Sequence, residues 1–565
     1  MNFNWLSIYN VDTYKVGHKP MLPVGSTLMQ SNFTPRSGKN SNCPNNGKIV
    51  SFGQQMLVMK IQEDWKNNFF NRPIVEIDDF AKDMGDLLMF KEPIDVTHFK
   101  QLHTLGYLPI EIRSIQEGTE IKYKVPFYTI VNTKPLDGGV FDWIVNYLET
   151  ILSAEAWNAP TSATLGLALR RLGNKWIAKT DPENAWFVDY QFHNFSMRGM
   201  DGMSSIVNSG LGFATTSRGS DTLPVIPAAR KFYFEKEVCI NSVIASEHAI
   251  MCSLTGFFVK TKEGSWDKIG EVEVETFRYL LRKFPTGILS LVSDTWDLWR
   301  VIVDYCRILK DEILARDGKL VIRPDSGDPV DIICGIKPVA ELDIQDCLQT
   351  KTKRVLYNGD VYEFDGDGFQ STLEEYGEND VYQASEYFTK IYVSDAEKKG
   401  VIELLWDIFG GDTSSTGYKR LNSHIGAIYG DSITYSRAEQ MFERLAAKGF
   451  ASTNIVLGVG SYSLQFVTRD THGFAQKATY IEIEVNGVTE GIEIFKDPIT
   501  DSGVKKSARG LIMVVKDAAG DYVIKDRSTW AEVNSDANEL KVIFRDSVFY
   551  NQTTLTAIRE RLAKL

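Results

Sequence analysis

Cysteine is scarce in this chain: six thiols in 565 residues, Cys43, Cys239, Cys252, Cys306, Cys334 and Cys347, with no Cys-x-x-Cys pair among them. That spacing argues against a cysteine metal site or a disulfide framework, and reads as reduced thiols in a cytoplasmic protein. Basic residues are in deficit too, 62 Lys plus Arg against 74 Asp plus Glu, a formal net charge of −12. A surface of that sign repels polyphosphate chains and anionic membranes, so neither nucleic acid nor a membrane is an expected partner. No run of eighteen apolar residues occurs, and Met1–Lys15 has no basic stretch followed by an apolar one. Neither a membrane span nor a signal peptide is expected. Fixed-period repeats and low-complexity tracts are also missing.

What remains is ordinary globular material, 43% hydrophobic and 24% charged, in a chain too long for one hydrophobic core. At about 150 residues per domain, two to four domains are expected. Residues 1–155 mix alternating stretches, such as Ile110–Ile115 and Tyr123–Val131, with helical patterns, and read as an N-terminal α+β region. Ile144, Val145, Leu148, Ile151 and Leu152, and then Thr161 to Lys179, recur at helical spacing. Between 156 and 469 short apolar runs end in polar or glycine residues and precede amphipathic helices. The runs are Trp186–Phe192, Ile288–Val292, Leu320–Ile322, Ile425–Ile428 and Ile455–Leu457. This β-α grammar predicts an α/β fold with a central α/β barrel-like catalytic domain. A doubly wound open sheet is the alternative, because spacing does not show closure. Over 330–399 the rhythm fails, and an acidic inserted subdomain with a hairpin at Asn358-Gly359 is expected. Residues 470–565 return to alternation at Thr479–Val485 and Leu511–Val515 and close with a helix at Leu555–Leu565. They read as a β-rich region that packs with the N-terminal one.

Candidate chemistry clusters where the apolar runs end. Arg198, Asp221, Glu247, His248, Asp294, Arg323, Asp325 and Asp431 follow such runs or sit in turn-like strings. Barrel strands present catalytic groups at their C-terminal ends, and carboxylates beside arginines suit a magnesium-bound, multiply phosphorylated substrate. Mg²⁺ takes oxygen ligands and Arg grips phosphate in a fork. For any single residue, a rim knitted by Arg–Asp pairs is the alternative. In Arg323-Pro-Asp-Ser-Gly327 the proline fixes one φ and the turn sets Asp325 and Ser326 beside Arg323. Gly458-Val-Gly-Ser461 reads as a backbone cradle for phosphate or as a tight β-α turn. Arg469, Lys477, Lys496, Lys505, Lys506 and Arg509 concentrate after the last barrel-like strand, as an anion-binding wall or a solvated loop.

Taken in chain order, Asp12-Thr-Tyr-Lys15, Arg36, Phe195-Ser-Met-Arg-Gly199, Gly219-Ser-Asp-Thr222, Ser246-Glu-His248, Ser293-Asp-Thr-Trp-Asp297, Arg323-Pro-Asp-Ser-Gly327, Gly430-Asp431, Thr468-Arg-Asp470 and Phe495-Lys-Asp-Pro498 resemble the nicotinamide phosphoribosyltransferases, a type II phosphoribosyltransferase family. The match runs over nearly the whole chain apart from roughly Val330–Lys399. The resemblance implies an α/β barrel, a head-to-tail homodimer with shared active sites, and nicotinamide and 5-phosphoribosyl 1-pyrophosphate as substrates. Phe195 and the partner's Tyr14 are then expected to sandwich the pyridine ring, Arg198 and Asp221 to hold the carboxamide, and Asp12 to belong to the same pyridine-binding set. His248, Asp294, Arg323 and Asp325 are the expected catalytic residues, with Glu247, Asp294 and Asp325 as the Mg²⁺ ligands. Gly430, Asp431 and Gly460 are expected on the ribose and 5-phosphate. Arg36, Arg469, Lys477 and Lys496 are expected to neutralise phosphates, several of them across the dimer interface. ATP is an optional cofactor, coupled through a phosphorylated His248.

The chain departs from the family at Ser461, where a glycine is usual, at Ala475, where a serine is usual, and in the loop Gly503–Gly510. Two other readings compete: a nicotinate phosphoribosyltransferase, in which a second carboxylate would face Asp221, and a catalytically inactive binding or signalling dimer.

Overall fold

The computed structural model describes residues 4–136, 139–261, 266–376, 384–430, 432–496 and 508–565. Three expected site residues, Asp431, Lys505 and Lys506, lie outside them. Six short strands form one wholly parallel sheet, in the order Phe192–Asn194, Ile455–Val459, Ile425–Tyr429, Asp317–Arg323, Thr286–Val292, Ile244–Ala245. Several of these strands read as unbroken apolar runs because parallel sheets are buried on both faces. The sheet is curled: isolated parallel bridges, Asn194 to Ser220 and Gly219 to Asn241, carry the pairing from its first strand round toward Ile244 at its last. Leu289, Leu291, Leu320, Ile322 and Leu457 pack with Phe277, Ile302, Leu405, Met441 and Phe442 of the flanking helical segments into the main core. Each such buried side chain stabilises the fold by about 1.5–3 kcal/mol.

The long helix Asn158–Thr180 packs against the helix Gly202–Ala214, which follows the Phe195–Gly199 loop. Close approach depends on small residues, since a Cβ on Gly212 would collide with the carbonyl of Ala159. A second, antiparallel sheet of seven strands draws on both ends of the chain, in the order Val488–Glu493, Ala475–Val485, Ser26–Thr34, Tyr128–Asn132, Ile110–Ser114, Lys541–Arg545, Val548–Phe549. A four-stranded sheet of Lys337–Pro338, Arg354–Tyr357, Asp360–Phe364 and Phe388–Ile391 has its own apolar cluster around Cys347, Val355, Phe364 and Phe388. Its hairpin turns at Asn358 and Gly359 with φ of 50° and 85°, the type I′ geometry that Asn-Gly favours. Among the described residues, no helix is long and apolar enough to cross a membrane.

Two boundaries differ from the reading of the sequence. Trp186–Phe192 is not a strand: Pro182–Phe187 is a 3-10 turn and Val188–Gln191 a helical turn, so extended pairing starts only at Phe192. Pro182 at the head of the turn presets its φ. Asp181, buried, accepts from Asn184, Arg420 and Thr453 and fixes the start. The second difference is at Val330. The helix Pro329–Cys334 buries Val330, Ile333 and Cys334 in the main core, and the four-stranded sheet begins only at Lys337.

Candidate active site

Strand ends and the loops after Asn194 and Ser220 meet on one rim and line a cleft of about 630 Å³. Barrel geometry directs the groups that follow each parallel strand to the same end. Phe195, Arg198, Asp221, Glu247, Arg323, Asp325 and Gly430 all face it, although they come from segments more than two hundred residues apart in sequence at the extremes.

The aromatic side of the cleft is built on Phe192–Asn194. Phe195 N–H bonds to the Val459 carbonyl (3.0 Å), and its ring lies 4.4 Å from that of His193. Gly199 lets the Met197–Gly199 turn, which carries Arg198, press on Ser461, whose hydroxyl a Cβ there would strike. Asp221 is clamped. His193 Nε2 lies 2.8 Å from its Oδ1, and the Ser242 hydroxyl donates to the same oxygen. Burial alone would raise the Asp221 carboxyl, but those two hydrogen bonds, with the charges of His193 and Arg323, hold it below its ordinary value. An ionised Asp221 therefore keeps Oδ2 to accept from whatever enters the cleft.

The charged side is centred on Arg323, at the end of the strand Asp317–Arg323. Burial lowers its guanidinium pKa, while Asp325, Asp221 and Asp294 around it favour the charged form. Its Nε is buried without a hydrogen-bond partner among the described residues. Asp294 Oδ2 accepts from Asp325 N–H (2.8 Å) and the Ser326 hydroxyl (2.6 Å), which ties Ser293-Asp294 to the turn after Arg323. Asp294 Oδ1 is buried, lies 3.4 Å from His248 Nε2 and has no hydrogen bond among the described residues. His248 begins the helix His248–Thr261, and its side chain is about half exposed. Gly430 is needed for close approach, since a Cβ there would strike Asp325 Oδ1. Gly460 precedes the short helix Ser461–Leu464 with extended backbone.

The remaining expected residues do not line this cleft within one chain. Tyr14 is 59% exposed, and its hydroxyl bonds to Asp12 (3.3 Å). Lys477 Nζ lies 3.5 Å from Glu149, which also takes Lys15 at 2.7 Å. Arg36 donates from Nε to the Gly473 carbonyl (2.7 Å), Arg469 lies 3.9 Å from Asp470, and Lys496 follows the strand Val488–Glu493. Tyr14 also feels the positive charge of Arg469, so Asp12, Tyr14, Glu149, Arg469 and Lys477 form a second surface cluster. Arg509, named with Lys505 and Lys506 in the basic run, stacks over Phe495 at 5.0 Å.

Among the described residues, no three His, Cys, Asp or Glu side chains converge as a ready-made metal cage, so Glu247, Asp294 and Asp325 are not a closed site. The reason is local: Asp325 meets Asp294 through its backbone N–H rather than its carboxylate. The orphaned Asp294 Oδ1 still suits a cation that also takes substrate oxygens, since Mg²⁺ is usually held by one or two carboxylates plus phosphate. Behind the cleft a second cavity of about 480 Å³ runs along the curled parallel sheet past His193, Ser242, Val243, Ile288 and Val321. His193 and Ser242, which lie outside the expected set, are the side chains that hold Asp221 in the cleft. A signal did exist for His193, which alternates with Phe195 at strand spacing and so shares its face.

A family model described as the Nicotinate phosphoribosyltransferase (NAPRTase) family matches residues 190–533. The chain is 38% identical over 576 aligned positions to a protein of Acinetobacter baylyi named nicotinamide phosphoribosyltransferase, covering 100% of this chain and 98% of that one. Proteins of the same name from Mycoplasma pneumoniae and Xanthomonas campestris are 30% and 27% identical. Those matches cover 87% and 98% of this chain and 92% and 97% of theirs.

Proposed function

Because the chain belongs to the nicotinate phosphoribosyltransferase (NAPRTase) family, we propose that it transfers the phosphoribosyl group of 5-phosphoribosyl 1-pyrophosphate to the ring nitrogen of nicotinamide. The products are nicotinamide mononucleotide and pyrophosphate. The observation that carries the choice of pyridine is Asp221, ionised, clamped through Oδ1 and lining the cleft beside Phe195 and Arg198. Its open oxygen accepts from a carboxamide NH₂. A nicotinate carboxylate in that place meets a like charge, a repulsion of about 4 kcal/mol at ~4 Å with an effective dielectric near 20.

The ring nitrogen is unprotonated near neutral pH, so the chemistry requires no general base. Its lone pair forms the bond to C1′ as the C1′–oxygen bond breaks and the electron pair leaves with pyrophosphate. Rate then depends on preorganised charge aimed at the leaving group and the electron-poor ribosyl carbon. Arg323, its Nε unpartnered among the described residues and its guanidinium surrounded by Asp221, Asp294 and Asp325, is placed for the first task. Phe195 offers a flat apolar face to the ring. Mg²⁺, when bound, supplies neutralising charge to the pyrophosphate, and Asp294, Asp325 and Glu247 are the residues to hold it. Gly430 and Gly460, with Asp431, belong to the ribose and 5-phosphate side. ATP is an optional partner of the same site through His248, whose half-exposed imidazole stands next to Asp294.

The proposal includes a homodimer with shared sites. What supports it is the second cluster, in which Asp12, Tyr14, Arg469 and Lys477 sit on the surface away from this chain's own cleft. Arg36 and Lys496 are assigned to the same task. Cytoplasmic residence rests on six unpaired thiols, and the exclusion of nucleic acid and membrane on the net charge of −12.

Turnover with 5-phosphoribosyl 1-pyrophosphate and each pyridine tests the substrate assignment: nicotinamide should be the better substrate, and preference for nicotinate would overturn it. Mixing inactive Tyr14→Ala chains with inactive Arg323→Ala chains tests the shared site. One site of each mixed dimer carries neither change, so activity should return. Demonstrated mixed dimers without activity would place each site within one chain.

A further inference from the structure

A smaller cavity of about 170 Å³ lies between the helix Asn158–Thr180, the segment Thr215–Arg218 and the C-terminal helix Leu555–Leu562. None of its lining residues belongs to the cleft. Three guanidiniums meet there, those of Arg170, Arg218 and Arg559. Arg559 is fixed by main-chain carbonyls: Nε donates to Ala214 (2.6 Å), and Nη2 to Ser217 (3.3 Å) and Cys239 (2.8 Å). Those bonds hold the guanidinium rigidly without neutralising it.

Counter-charge is short. Asp189 takes Arg170 Nη1 at 2.6 Å and lies 3.8 Å from Arg218 Nε, so one carboxylate serves two arginines. Glu560 is on the lining, and Glu235, nearby, accepts from the N–H (2.6 Å) and hydroxyl (3.0 Å) of Thr556. Arg559 has no carboxylate within ion-pair distance among the described residues, and its guanidinium is pulled down to about 10, by burial first and by the like charge of Arg218 as well. The lining thus carries three positive groups against Asp189 and Glu560, on a chain whose net charge is −12. The hydroxyls of Thr215, Thr216 and Ser217 donate to main-chain carbonyls, which leaves the guanidiniums to do any recognition.

We propose that this cavity is a second anion site, holding one small oxyanion of the inorganic phosphate class between Arg170, Arg218 and Arg559. Guanidinium forks match such oxyanions, and the bond is strong because the donors are charged. Size sets the class: pockets for drug-sized ligands run to about 300–1,000 Å³, so a cavity of 170 Å³ takes a few heavy atoms and excludes a nucleotide. The site stands apart from the proposed reaction, and its failure would leave that reading untouched.

The test is calorimetric titration of the full-length protein with inorganic phosphate at constant ionic strength, with acetate as the control anion. Arg323→Gln serves as the background, to weaken phosphate binding in the cleft. Binding should persist there and fall by at least about tenfold when Arg218→Gln is added, the loss of one charge-assisted hydrogen bond. Arg218 is chosen because its side chain is 42% exposed, whereas Arg559→Gln removes bonds that hold three main-chain carbonyls. Crystals of the wild type soaked in selenate locate the ion directly. Anomalous density between the three guanidiniums is the expected result. Density confined to the cleft, or equal phosphate affinity with and without Arg218, would overturn the proposal.

Discussion

Replacing Asp221 by asparagine changes the sign of one polar contact while keeping the shape. In the wild type both His193 Nε2 and the Ser242 hydroxyl converge on Oδ1. An asparagine that keeps those donors satisfied must place its carbonyl oxygen at the Oδ1 position, which turns its NH₂ toward the cleft. A donor then faces the carboxamide NH₂ where an acceptor stood. Loss of a hydrogen bond to a charged acceptor costs about 1.5–3 kcal/mol, or roughly 10- to 150-fold in kcat/KM for nicotinamide. For nicotinate the change runs the other way, because removing the carboxylate abolishes a repulsion of about 4 kcal/mol and supplies a donor. The assay is steady-state kcat/KM for both pyridines at saturating 5-phosphoribosyl 1-pyrophosphate. The ratio of nicotinamide to nicotinate should fall by at least about 100-fold, the product of two modest effects in opposite directions. Wild-type selectivity in Asp221→Asn, with the fold intact by circular dichroism, would remove Asp221 from the pyridine site and refute the reasoning.

Gly430→Ala should cut kcat by about 10-fold or more with little change in Tm, because the new Cβ strikes Asp325 Oδ1 and pushes the carboxylate aside; unchanged kcat would show that Asp325 is not held there for catalysis. Replacing residues 338–393 by a short Gly/Ser linker should leave a folded, active dimer, since Ile336 N–H bonds to the Lys398 carbonyl (3.2 Å) and the ends already lie side by side. Extending the deletion to all of 330–399 strips Val330, Ile333 and Cys334 from the core and should unfold the protein, each lost large apolar side chain costing about 2–5 kcal/mol; a folded but inactive 338–393 variant would make that sheet part of the site. Glu273→Gln should stabilise the protein only at higher pH. Glu273 is 1% exposed, and burial pushes its carboxyl up to about 7 despite the Tyr305 hydroxyl at 3.2 Å. The folded state therefore holds a proton that the unfolded state releases near 4.5, and stability falls as pH rises from there to about 7. Urea melts should show a gain of about 2–3 kcal/mol for the variant near pH 8 and almost none near pH 4; an equal gain at both would mean that Glu273 does not titrate in the fold.

Local order in the sequence was enough for much of the parallel sheet. Ile288–Val292, Leu320–Ile322 and Ile425–Ile428 read as buried strands because both faces of a parallel strand are apolar, and all three lie inside observed strands. The Asn358-Gly359 hairpin was legible for an equally local reason, since two consecutive positive φ values demand those residue types. Trp186–Phe192 misled because a run rich in aromatic and branched side chains has strand composition. Pro182 and the buried Asp181, which impose helical turns there, draw their effect from Arg420 and Thr453 far along the chain.

Strand periodicity and turn chemistry act over a few residues, so most strands of the parallel sheet, and the Arg, Asp and Gly residues that follow them, were legible along the chain. Tertiary structure alone decided what those groups share. Asp221 Oδ1 is held by His193 and Ser242, 28 and 21 residues away, a convergence that no local pattern encodes. Val330, Ile333 and Cys334 join the main core rather than the cluster of the four-stranded sheet because they share that core with Met441 and Phe442. The strand Lys541–Arg545 lies beside Ile110–Ser114, joining the chain's two ends in one sheet, and no short-range pattern specifies that pairing. Contacts between distant segments form only where the whole fold brings their buried faces together, which is why the strand ends of the parallel sheet could be read from the chain and the anchoring of Asp221 could not.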